Sequence, residues 1–202
     1  EKTMKDFLSA FQSRRSIYAL GNSSPLSEDR TVELIGEALR QAPSAFNMQD
    51  QRAVVLFGAH HAKLWSITME ALRKRVSAER FAETEARING FAAAHGTVLF
   101  FSDEGTVRAM QSKFPNYAAN FETWSAQQQG MAQYMVWTLL EAEGFGVNLQ
   151  HYNPLIDEAV RAEWNVPADW TLRAQLVFGS IEAPAGEKTV LTLAERLRVY
   201  RS

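Results

Sequence analysis

Pro43-Ser44-Ala45-Phe46-Asn47-Met48-Gln49 is the segment from which the rest of the chain is read. Upstream, Ser27 suits a helix N-cap, with Glu28 and Asp29 in the first turn and Val32, Ile35 and Leu39 at helical spacing. Pro43 ends that helix at Gln41 or Ala42. The residue before a proline is pushed out of the helical region, and proline has no N–H to donate onward. Downstream, Arg52 to Phe57 is rich in valine and closed by Gly58, which predicts a strand. The segment is therefore a loop fixed between a helix and a strand, made of small residues and two side-chain amides.

Further out, Phe7, Leu8 and Phe11 share one face of a helix over Met4 to Arg14 that ends near Arg15, and Gly21 to Pro25 is a turn cluster. His60 to Val76 and Ala78 to Ala94 read as two charged helices, the second closed by His95-Gly96. Thr97 to Ser102 is apolar throughout, as a central strand would be. Gln111 to Asn120 has few periodic apolar residues and holds Pro115, which predicts a long, mobile loop. Glu122 to Glu143 is the strongest helix. Its stripe of Met131, Tyr134, Met135, Thr138, Leu139 and Ala142 is joined by Val136, Trp137 and Leu140 on another side, so burial almost all round is expected. Val147 to Gln150 is extended, Pro154 starts a short helix through Trp164, and Leu172 to Phe178 is a strand closed by Gly179. After Pro184, Val190, Leu191, Leu193, Leu197 and Val199 are too few to build a core, which predicts a C-terminal arm laid across another surface. No linker or repeat divides the chain, so residues 1–202 are expected to form a single domain.

Composition narrows the function. A formal net charge of -2 gives no basic footprint for nucleic acid or anionic lipid, which favours small-molecule partners. There are 0 cysteines, so disulfides, thiolate metal sites and thiol redox chemistry are excluded and any redox chemistry needs a cofactor. The longest apolar runs, such as Val54 to Phe57 and Val98 to Phe101, fall far short of the roughly 20 residues of a membrane span. The first residues lack the apolar centre of a signal peptide, and a soluble, cytoplasmic protein is expected.

Two constellations carry chemistry. Ser44, Ala45, Asn47 and Gln49 offer a wall without bulky side chains together with donors and acceptors, which is what a flat isoalloxazine ring needs. Arg14, Arg15 and Ser16 could hold a phosphate tail through charge-assisted hydrogen bonds. Taken alone, an arginine pair at a helix end simply answers the helix dipole, and that plainer account is the favoured one. Asn148, Gln150, His151, Tyr152 and Asn153 form a dense polar set after a buried helix, either a site or a polar turn before Pro154. Gly144-Phe145-Gly146 follows a helix and has Leu149 at the third glycine position, so it is no dinucleotide fingerprint. His60-His61 has no further ligand at metal spacing, and Glu141 and Glu143 read as solvated helix-end charges. Serine-nucleophile, P-loop and zinc-protease motifs are absent. Of the tryptophans, Trp124 lies beside the polar run Gln127-Gln128-Gln129, and packing is the favoured account of it.

Four stretches together resemble the FMN-dependent nitroreductases, in the fatty-acid-repression-mutant branch shared by fungi and bacteria. They are Arg14-Arg15-Ser16-Ile17-Tyr18, Pro43 to Gln49, Gly146 to Asn153, and the tail Glu195-Arg196-Leu197-Arg198-Val199. The resemblance implies an α+β fold with a central antiparallel sheet flanked by helices, and a homodimer with exchanged C-terminal arms and two FMN sites at its interface. It implies that Arg14, Arg15, Ser16 and Tyr18 approach the FMN phosphate and ribityl, with Arg196 or Arg198 of the tail assisting. Pro43, Ser44, Ala45, Asn47 and Gln49 would meet the ring from the other subunit, and Asn148, Leu149, Gln150 and His151 would lie near it. Tyr18 stands where some relatives carry a phosphate-binding lysine. Ala45 replaces a common serine, leaving only a backbone contact, and Met48 would make acceptor access more apolar. NADH or NADPH would supply electrons and a nitroaromatic or quinone-like small molecule would receive them, with no catalytic side chain and no metal. The alternative is a flavin- or lipid-signal-binding regulator on the same scaffold.

Overall fold

The computed structural model describes residues 4–201, and its organising strand is β3, Gly96–Asp103. Its alternating side chains feed two layers. Leu99 and Phe101 face one side of the sheet, whereas Val98 and Phe100 face the other. β2, Gln51–Phe57, pairs with one edge of β3 and β5, Trp170–Ile181, with the other, both antiparallel. The far edge of β5 takes β4, Gly146–Gln150, and the two-residue β1, Leu20–Gly21. At that edge Gly179 is required by close approach, since a Cβ there would lie 2.2 Å from the carbonyl oxygen of Gly21. The sheet is thus open and antiparallel, apart from a parallel bridge between Ser16 and Val147.

On one face α3 (Gly58–Arg73), α4 (Ala78–Ala92) and α7 (Asp157–Trp164) pack Leu64, Trp65, Ile88, Phe91 and Val160 onto Leu99 and Phe101. On the other, α2 (Glu28–Gln41) and α6 (Phe121–Ala142) pack Ile35, Ala38, Val136 and Leu140 onto Phe100, Leu176 and Phe178. Each large apolar side chain removed from water in this way stabilises the fold by about 1.5–3 kcal/mol. Among the described residues no helix is long and apolar enough to cross a membrane.

Ser27 caps α2 by accepting from Arg30 N, and the helix stops at Gln41, one residue before Ala42 and Pro43, as the proline requires. Three expectations change. Gln111 to Asn120 is not a long loop. α5, Glu104–Lys113, is capped by Asp103, whose side chain accepts from Thr106 N, and Pro115–Asn120 continues as a 3₁₀ turn. Only Val107 of α5 is buried, so the helix has almost no apolar stripe for periodicity to register. α1, Phe7–Ser13, buries Ala10 and turns Phe7, Leu8 and Phe11 outward. α6 is closed on the side of Val136 and Leu140 but open along Met131, Tyr134 and Met135, so one of its faces stays uncovered within a protomer.

Beyond Ile181 the chain runs as an exposed arm carrying Val190, Leu191, Leu197, Val199 and Tyr200. It holds one short helix, α8 (Leu193–Arg196), closed by a capping box between Thr192 and Glu195.

Candidate active site

The loop after α2 is shaped by three left-handed residues, Phe46 at φ 54°, Asn47 at 51° and Gln49 at 51°. Asparagine tolerates that region, but for phenylalanine and glutamine it costs energy that the surroundings must offset. Several bonds do so. Ala45 N donates to Gln128 Oε1 at 2.9 Å, Gln49 N to Ser44 Oγ at 3.0 Å, and Arg52 Nη1 to the Gln49 carbonyl at 2.6 Å. The Phe46 ring rests among Phe114, Tyr117, Phe121 and Trp124, with centroids 4.6–5.9 Å away. Trp124 therefore packs, as expected.

Two consequences follow for the ring-wall reading. The Ala45 N–H points inward to Gln128 and its carbonyl accepts from Met48 N at 3.1 Å, so both backbone groups of Ala45 are already engaged. Met48 is buried on Val107 and Phe121 and anchors the loop from beneath, so it does not line an approach path. Pro43, Asn47 and Gln49 are exposed and Ser44 is half-buried.

The arginine motif lies elsewhere. Ile17 N donates to the Val147 carbonyl at 2.9 Å and Asn148 Nδ2 to the Ile17 carbonyl at 2.8 Å, which ties Arg14-Arg15-Ser16 to the start of β4. Asn148 is fully buried and its other amide atom accepts from Gln150 Nε2 at 2.9 Å, so its side chain is spent on this joint. Leu149 packs into the second core layer. The Arg14 guanidinium lies over the Trp137 ring, 4.6 Å from its centroid, a stacking that leaves the in-plane N–H donors free. Arg15 Nη2 donates to the Gly186 carbonyl at 2.7 Å, and a cavity of about 580 Å³ opens between Arg15, Ser16, Tyr18 and the stretch Pro184 to Lys188. Arg196 and Arg198 lie further along the exposed arm.

Gln128, which holds the loop, and Trp137, which holds Arg14, are nine positions apart on α6. That is two and a half turns, so they face opposite sides of the helix and lie about 13 Å apart along its axis. One protomer thus keeps the ring wall and the arginine pair on opposite flanks of α6.

A second cavity, about 540 Å³, was not anticipated. It is lined by Glu104, Ser125, Gln129, Gln133, His151 and Arg173. Arg173 Nη2 donates to Glu104 at 2.6 Å, while Gln129 Nε2 donates to the Phe101 carbonyl at 3.0 Å. The Oε1 of Gln129 is buried without a partner among the described residues. An open buried acceptor calls for an N–H or O–H donor from whatever fills the cavity. The run Gln127-Gln128-Gln129 was the signal in the sequence, and two of the three are buried.

His61, also read as unremarkable, is buried. Its Nε2–H donates to the Phe91 carbonyl at 3.1 Å and its Nδ1 meets the Thr97 hydroxyl at 3.0 Å, so it is neutral and structural, and burial lowers its pKa. Glu141 is not a solvated helix-end charge. Its side chain is 12% exposed and pairs with Lys5 at 2.5 Å, and Ser13 donates to it at 2.8 Å, which fixes α1 on α6. No group of three or more His, Asp or Glu that could hold a metal stands together among the described residues.

The structure is thus an open antiparallel sheet with helices on both faces, a polar loop at one flank of a long central helix and an arginine motif at the other. Residues 11–180 match the nitroreductase family, and the chain belongs to it. Nitroreductase FRM2 of Saccharomyces cerevisiae is 37% identical over 191 residues, covering 92% of this chain and 93% of that protein. The structure of nitroreductase CinD from Lactococcus lactis in complex with chloramphenicol is 48% identical and covers 97% of this chain and all of that one, with a TM-score of 0.89. A second structure of CinD, in complex with 4-nitrophenol, is similar at a TM-score of 0.88. This protein is accordingly an oxidoreductase of the nitroreductase type.

Proposed function

We propose that this protein is an FMN-dependent NAD(P)H oxidoreductase that reduces nitroaromatic or quinone-like acceptors. The observation that carries the reading is the division of polar groups between the two flanks of α6, which suits a homodimer in which each FMN is held by both subunits. The exposed arm, the outward face of α1 and the uncovered side of α6 support the same assembly, because a second copy would remove their apolar side chains from water. CinD, whose structures are in complex with chloramphenicol and 4-nitrophenol, supports the acceptor class.

The residues fit such a group. The phosphate would be met by Arg14, Arg15 and Ser16, with Tyr18 at the cavity rim and Arg196 or Arg198 reaching it from the arm of the partner. Ser44, Asn47 and Gln49 would face the ring from the other subunit, above a loop that cannot relax because its backbone is bonded to α6 and β2. The open Gln129 oxygen accepts an N–H of the kind the ring's pyrimidine edge carries. His151 and Arg173 line the same cavity and hold its polar end. Bound FMN would supply the redox chemistry, relaying a hydride from NADH or NADPH to the acceptor in ping-pong order. The chain needs no side-chain acid for this. Its residues bind, orient and exclude water.

The purified protein is expected to be yellow, to release FMN on denaturation and to bleach when NADH or NADPH is added, recovering colour with a nitroaromatic. A colourless protein that cannot be reconstituted with FMN refutes the reading. A flavoprotein that oxidises no NAD(P)H favours a regulator.

A further inference from the structure

Asp50 is a fully buried carboxyl with no part in the chemistry just described. It directly follows the ring-wall loop, and Arg52, the nearest cation in sequence, pairs with Asp103 at 2.8 Å instead. Its oxygens are divided between two donors on α6. Ser125 Oγ–H donates to Oδ2 and Gln128 Nε2–H to Oδ1. Burying a carboxyl is costly, so a place where two hydrogen bonds from one helix offset that cost asks what the carboxyl provides that serine or alanine would not.

It provides direction. A carboxamide can be turned end for end with little change in shape, and only its neighbours decide which end is oxygen. A carboxylate accepts and does not donate, so Asp50 compels Gln128 to present Nε2 to it. The Gln128 oxygen is thereby aimed at the loop, where it takes the Ala45 N–H at 2.9 Å. The line Asp50, Gln128, Ala45 runs from the start of β2 through α6 back to the middle of the loop. Gln51 Nε2 adds a bond to the Pro43 carbonyl at 3.2 Å, so both ends of the loop are held from the same strand start. Without Asp50 the Gln128 NH₂ loses its acceptor, and the amide is oriented only by the weaker pull of the Ala45 N–H. A loop with left-handed Phe46 and Gln49 then relaxes toward commoner backbone angles.

We propose that Asp50 is a positioning residue that fixes the orientation of Gln128 and, through the Ala45 N–H, the wall that Pro43 to Gln49 presents to FMN. This rests on the placement of that loop at the flavin. In wild type the Ala45 amide is expected to be protected from hydrogen exchange in the apoprotein, and FMN to be retained.

Asp50→Ala and Gln128→Met both deprotect the Ala45 amide, weaken FMN retention by about tenfold and shift the midpoint potential of the bound flavin. Asp50→Asn, whose oxygen still accepts from Gln128 and whose NH₂ can donate to Ser125, restores the Ala45 protection and binds FMN within about threefold of wild type. Thr68→Ala, a buried change on α3 that touches neither the loop nor the cavity beside Gln129, lowers the melting temperature without moving the potential. If Asp50→Ala does not fold, Gln128→Met carries the test alone. The proposal is overturned if Gln128→Met keeps wild-type protection at Ala45 and wild-type FMN affinity and potential, or if Thr68→Ala moves them as far as Gln128→Met does. If wild type binds no FMN, the functional reading fails, while exchange at Ala45 still decides whether Asp50 positions the loop.

Discussion

Replacing Phe46 by alanine and by glycine perturbs the same loop in two separable ways. Phe46 sits at φ 54°, where a residue with a Cβ costs roughly 1–2 kcal/mol. Its ring is 49% exposed and lies against four aromatic neighbours. Truncating a fully buried phenylalanine to alanine costs about 3–5 kcal/mol, so a half-exposed ring is worth roughly 2 kcal/mol. The alanine variant loses the ring and keeps the strain. The glycine variant loses the same ring but sheds the strain, recovering about 1 kcal/mol after glycine's extra freedom in the unfolded chain is counted. At this chain length 1 kcal/mol moves the melting temperature by about 2–4 °C. The alanine variant should therefore melt about 4–8 °C below wild type and the glycine variant about 2–4 °C above the alanine one. Thermal unfolding of the apoproteins followed by circular dichroism in one buffer measures both. A glycine variant that melts at or below the alanine variant refutes the idea that the loop is held in strain by its aromatic neighbours.

Other outcomes follow from the same geometry. Arg14→Ala should weaken FMN retention about tenfold, whereas Arg30→Ala, which removes only an exposed pair with Glu33, should not; equal retention in equilibrium dialysis would reject the phosphate role of Arg14. Burial holds the His61 pKa below 6.5, so the unfolded chain binds more protons than the fold between the lowered value and 6.5. The stability from His61 is complete above that window and lost as pH falls through the lowered folded pKa. Melting temperatures should drop as pH falls below about 6.5 in wild type and less steeply in His61→Gln; parallel curves would exclude His61 as the cause. Removing the arm after Pro184 should convert a dimer into a monomer by light scattering and strip FMN, and a truncated protein that stays dimeric would contradict the assignment of the arm to the interface.

Much of the fold was legible because local chemistry left marks. Pro43 and the Ser27 cap bounded α2, and the unbroken apolar run at Thr97 to Ser102 marked a strand buried on both faces. α5 was not legible. It is held by a cap and a single buried valine, and such a helix has no period to detect. At the site, the small residues and amides of Pro43 to Gln49 were visible, but which of their groups are free was not. The two backbone groups of Ala45 and the Met48 side chain are committed inward by partners far away in sequence. Glu141 misled for the same reason, since a helix-end carboxylate is solvated unless another element closes over it, and α1 does.

The sequence by itself determined most of the elements, the exclusion of thiol chemistry and the two polar constellations, since each depends on composition or on neighbours a few residues apart, and its family resemblance implied the antiparallel α+β class. Only the tertiary structure decided that those constellations flank opposite faces of α6, that a cavity with an open glutamine oxygen lies at the end of β4, and that Asp50 aims Gln128 at the loop. These are relations between residues 28 to 83 positions apart, set by how α6 lies on the sheet. No local pattern in the chain encodes the side of a helix on which a distant loop comes to rest.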